Sequence, residues 1–64
     1  MEAYQERVVA EKAELDERTT KLAQFVVNDE RFKSIFIEEQ VRLRQQLTLM
    51  ELYSEVLGKR IAAF

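Results

Sequence analysis

Residues 38–64, EEQVRLRQQLTLMELYSEVLGKRIAAF, repeat their apolar positions every seven residues, and that period constrains the fold more than any other feature of the chain. Leu43, Met50, Leu57 and Phe64 occupy one position of the repeat, and Gln40, Leu47, Ser54 and Ile61 occupy the other. One step back, Phe36 joins the first set. A helix of 3.6 residues per turn brings all nine side chains onto one stripe, and seven of them are apolar. Such a helix is built to lie along another helix.

Leu49, Leu52, Val56 and Ala63 repeat three and four apart on a second stripe. One partner helix covers one stripe, so the other predicts a second partner, which in so short a chain is expected to be another copy. Glu38 with Arg42 and Glu55 with Lys59 are four apart in the favourable order and mark the solvated face, at ~0.2–0.5 kcal/mol per pair.

The partner within the chain is residues 2–27. They contain neither Gly nor Pro and are rich in Ala, Glu, Lys, Gln, Arg and Leu, which favour helix; about 26 residues make a rod of roughly 39 Å. Val8, Leu15 and Leu22 recur every seven residues, with Tyr4 and Phe25 at the complementary spacing. Glu11 and Arg18 are expected between them in the seam, flanked by Lys12 and Thr19. This polar notch reads either as stems packed with heads in water, or as a register device or pocket wall. Lys12 with Asp16, Glu14 with Arg18 and Glu17 with Lys21 are spaced to pair along the outer surface.

The pattern breaks near Asn28, a residue suited to the left-handed end of a helix. Asp29 can cap a short turn in which Phe32 and Ile35 fold back, and Ser34 is the expected N-cap of a helix beginning at Phe36 or Ile37. A connection of roughly seven residues makes the long helices antiparallel neighbours. The expected fold is therefore all-α: one domain, residues 1–64, an antiparallel two-helix hairpin that self-associates into a helical oligomer. A turn centred near residues 31 and 32 sets Tyr4 near Lys59 and Arg60, Leu15 near Leu49, and Lys21 near Arg42 or Arg44. Gly58, the only glycine, reads equally as a point of close backbone approach or as a tolerated surface residue.

A single core of this size leaves about 3–5 kcal/mol of stability, and comparable chains add disulfides, metals or association. Cysteine and histidine are both absent, which leaves association as the expected source of further burial. With 10 basic and 12 acidic residues, a net charge of -2 and a pI near 5.1, the chain lacks the basic footprint of a duplex nucleic-acid binder. No apolar run approaches the ~18 residues of a membrane span, and the charged start MEAYQERVV is unlike a signal peptide, so a cytosolic location without membrane contact is expected. Ser34 and Ser54 have no imidazole to activate them, one glycine builds no phosphate loop, and the acidic clusters read as solvated surface; neither catalysis nor a cofactor or metal is expected. Tyr4 and Tyr53 offer faces to a base, and the Lys and Arg residues offer phosphate donors.

In order, Tyr4-Gln5-x-Arg7-Val8, Glu14-Leu15-Asp16, Lys21-Leu22, Phe32-x-x-Ile35, Glu39-Gln40, Leu43-x-x-Gln46, Met50, Tyr53 and Arg60-Ile61 resemble the small phage proteins of the crAss-phage-related hairpin family. Their hairpin is similar to the domain of viral anti-CBASS and anti-Thoeris proteins. The resemblance spans essentially the whole chain. It implies a sponge: an oligomer, typically a hexamer, that holds cyclic di- or trinucleotide signals between protomers without cleaving them, in the cytoplasm of the infected bacterial host. The family's N-terminal aromatic and its later lysine correspond to Tyr4 and Lys21; Arg18 and Arg44 join them through their expected nearness to Lys21. Leu49, Leu52, Val56 and Ala63 are the expected interface between copies. The alternative is an adaptor that binds a host protein helix through that same stripe.

Overall fold

The computed structural model describes all 64 residues. It is entirely helical, with α1 Ala3–Asn28, α2 Glu30–Lys33 and α3 Ile37–Ala62. Each long helix has 26 residues, and the 46 × 15 × 14 Å dimensions are those of two helices side by side. No helix is long and apolar enough to cross a membrane.

The connection departs from expectation in its caps. Asn28 remains helical and no residue has a positive φ. The break falls instead at Asp29, extended at φ -93° and ψ 123°, which ends α1 and starts α2 without a left-handed residue. The Asp29 carboxylate accepts the Arg31 backbone N–H at 2.9 Å and its guanidinium at 2.7 Å. These bonds hold the Asp29 carboxyl down to about 2 and raise Arg31. Ser34 closes α2 rather than capping α3, whose N-cap is Phe36 with no side-chain bond. The Gln40 amide ties the first turn of α3 back to the Ile35 carbonyl at 2.7 Å. Phe32 folds back as expected: it is 3% exposed, meets Phe25 edge-on at 5.8 Å, and carries the Arg44 guanidinium 4.9 Å above its ring centre.

Val8, Leu15 and Leu57 form the core between α1 and α3, with Met50 and Ile61 packed on it. Along α3 the seven-residue stripe faces α1, and at its ends Phe36 and Phe64 remain 63% and 41% exposed. In α1 the inward positions between Val8, Leu15 and Leu22 are Lys12 and Thr19, and the expected Glu11 and Arg18 are exposed. Both choices suit the helical period; partners decide between them. Thr19 donates its hydroxyl to the Leu15 carbonyl at 2.7 Å and Lys12 finds Asp16 and Ser54, whereas Glu11 and Arg18, seven residues apart, would be covered without each other.

The hairpin turns later than residues 31 and 32, because α2 occupies that stretch. Tyr4 accordingly meets Phe64, with ring centres 5.8 Å apart, and Leu15 packs in the cluster of Leu57 and Met50 rather than against Leu49. A Cβ placed on Gly58 would lie 3.4 Å from Lys12 Cε. The glycine thus faces a flexible side chain and not a neighbouring backbone. Of the expected pairs, Lys12 with Asp16, Glu17 with Lys21 and Glu55 with Lys59 form. Arg42 takes Glu39 in place of Glu38, at 2.8 Å, and Arg18 does not pair with Glu14.

Candidate functional site

Three polar side chains meet inside the seam. Lys12 Nζ lies 2.7 Å from Asp16 Oδ2 and donates to Ser54 Oγ at 3.0 Å; the Ser54 hydroxyl donates in turn to Asp16 Oδ1. One turn of α1 supplies the ion pair and α3 supplies the hydroxyl that bridges the helices. The Lys12 hydrogen bond, then that of Ser54, holds the Asp16 carboxyl below its ordinary value. Every member has a partner within the trio. The signal for it was present in the sequence, as a serine in an apolar seam facing a four-apart Lys and Asp.

The expected ligand residues do not converge within one hairpin. Tyr4 is half exposed at the open end, and Lys21 stands 17 residues along α1, about 25 Å away at ~1.5 Å per residue. Lys21 is paired with Glu17 at 3.2 Å and borders an open groove of about 590 Å3 with Phe25, Asn28 and Arg31. Arg18 is exposed and lines no groove. Arg44, seated on Phe32, borders two other grooves, of about 530 and 150 Å3, and shares neither with Lys21. Arg18 stands three residues before Lys21 on the same helix, while the Arg44 guanidinium is turned onto the Phe32 ring.

Six of the ten cations are engaged by carboxylates: Lys12, Lys21, Arg31, Lys33, Arg42 and Lys59. The four left over, Arg7, Arg18, Arg44 and Arg60, are all arginines. Guanidinium is the cation best shaped for bidentate contact with phosphate.

The outer face of α3 points away from α1 and is apolar along most of its length. Leu49, Leu52 and Val56 are 66%, 53% and 52% exposed, Ala63 is exposed, and Val41, missed by the sequence reading, extends the stripe by two turns. A shallow groove of about 360 Å3 runs beside it, bordered by Arg42, Gln46, Leu49, Met50 and Tyr53. Carboxylates are nowhere gathered in the groups a metal ion requires.

No curated protein and no solved structure matches the chain. Residues 2–63, nearly its whole length, match the Sequestin family. The chain belongs to the Sequestin family.

Proposed function

We propose that this protein is a phage anti-defence sponge that binds a cyclic oligonucleotide signal and withholds it without cleaving it. The family's name describes sequestration, and four arginines free of carboxylates are a supply of anion donors. The observation that carries the reading furthest is the outer face of α3. Leu49, Leu52, Val56 and Val41 form an apolar stripe opposite a seam that is already filled, and covering it with a second copy makes a closed oligomer, six copies being the number the sequence resemblance implies. Tyr4 and Lys21, too far apart to share a ligand in one hairpin, are brought together only by a neighbouring copy.

Retention followed by recovery tests this. The protein is incubated with a panel of cyclic di- and trinucleotides, filtered free of unbound material and heat-denatured, and the released ligand is compared with the input by chromatography. One panel member should be retained and recovered unchanged. It should also stabilise the fold by ~2.7 kcal/mol at a hundredfold excess over its dissociation constant. A chain that retains none of the panel, or returns a linearised product, is not such a sponge. If the panel is refused and the outer face of α3 instead captures a host helix, the protein is an adaptor.

A further inference from the structure

At the open end of the hairpin, two of the four uncommitted arginines face the same side. Tyr4 of α1 and Phe64, just beyond α3, are in ring contact. Arg7 directly precedes the buried Val8 and Arg60 follows the buried Leu57 by three residues, spacings that set both arginines on one edge of the seam. Their level is bracketed by the Tyr4 contact on one side and by the bond from Lys12 to Ser54 on the other. The seam trio occupies the opposite edge, where Gly58 lies against Lys12.

Two like charges at one level on adjacent helices repel, and neither is relieved by a carboxylate. Glu11, one turn beyond Arg7, forms no ion pair with it. The ends of α1 and α3 that meet here have opposed dipoles, which largely cancel. Tyr4, 51% exposed, presents a ring face held edge-on by Phe64. We infer that Arg7, Arg60 and Tyr4 form a pincer for a phosphate ester of an aromatic base, the two guanidiniums taking the phosphate and Tyr4 stacking on the base. This rests on the sequestration reading and moves its anion-binding residues away from Lys21 and Arg44.

The test uses the full chain, isotopically labelled, titrated with inorganic pyrophosphate and then with ADP, and read by NMR at backbone amides and Arg Nε. Pyrophosphate should give saturable shifts confined to Tyr4, Arg7, Arg60 and Phe64. ADP, which adds a base to the same diphosphate, should bind more tightly, and Tyr4→Leu should abolish that gain while leaving pyrophosphate binding intact. Arg7→Gln with Arg60→Gln should weaken both probes at least tenfold, with Lys33→Gln as an unaffected control. Should the double variant lose helicity, Arg60→Lys replaces it, keeping the charge but not the bidentate fork, and is expected to weaken pyrophosphate binding. Absence of saturable shifts, shifts centred on Arg18 or Arg44, or undiminished binding by the variants overturns the pincer. A cyclic nucleotide held equally by wild type and double variant also overturns it while leaving sequestration standing; pyrophosphate at the pincer with no cyclic nucleotide retained supports the anion site and ends the sponge.

Discussion

The two faces of α3 are both rich in leucine and valine-sized side chains, yet they have opposite fates. On the seam face Leu57 is 1% exposed and packs with Val8 and Leu15; on the outer face Leu49 is 66% exposed and lies outside that cluster. A helix that is apolar on opposite sides cannot be satisfied by one neighbour. The seam holds the hairpin together, and the outer face is left for assembly. With four buried residues, the isolated hairpin sits near the lower limit of what a single core sustains.

Substitutions should separate the two faces, and the largest effect belongs to the seam. Leu57→Asp buries an unpaired charge, a cost above about 3 kcal/mol that rivals the whole stability of a chain this small; its helical circular dichroism should collapse. A folded Leu57→Asp would mean that the seam is misplaced. Leu52→Glu should instead keep the helical signal while lowering the mass measured by sedimentation to that of a smaller species. An unchanged mass would show that assembly uses another face.

A smaller effect tests the polar trio. Ser54→Ala removes the hydroxyl that links Lys12 and Asp16 across the seam and should cost about 1 kcal/mol, lowering Tm by roughly 4–8 °C. No change would make the trio a bystander. The gentlest probe is acid. Asp29 titrates near 2 in the fold against an ordinary 3.8, and Asp16 is lowered as well. Folding therefore favours their ionised forms, and the stability they contribute is complete above about pH 4 and is lost as pH falls toward 2. Thermal scans between pH 5 and 2 should show that loss, reduced in Asp29→Asn; a variant with an identical profile would remove Asp29 from the account.

The hairpin was legible because apolar periodicity survives in the sequence whatever the register: Leu43, Leu47, Met50, Leu57 and Ile61 lie where their spacing put them. Register was not legible, since it depends on how much chain the turn consumes, and α2 with Phe32 seated under Arg44 used residues that a simple turn would have left to the helices. The distance from Tyr4 to Lys21 owes nothing to register: 17 residues of one continuous helix separate them. Lys12 was placed at the edge of the notch and not at its centre because partners, which cannot be read from period alone, decided between Lys12 with Thr19 and Glu11 with Arg18. Sequestration is legible only through family resemblance, whereas the free arginines at the open end depend on which ion pairs the fold forms.

Native mass spectrometry of the purified chain, alone and with a mixed panel of cyclic di- and trinucleotides, tests the central claim most directly. The account predicts a closed oligomer whose mass rises by a whole number of intact ligands. A chain that remains a monomer, or an oligomer that retains none of the panel, would contradict it.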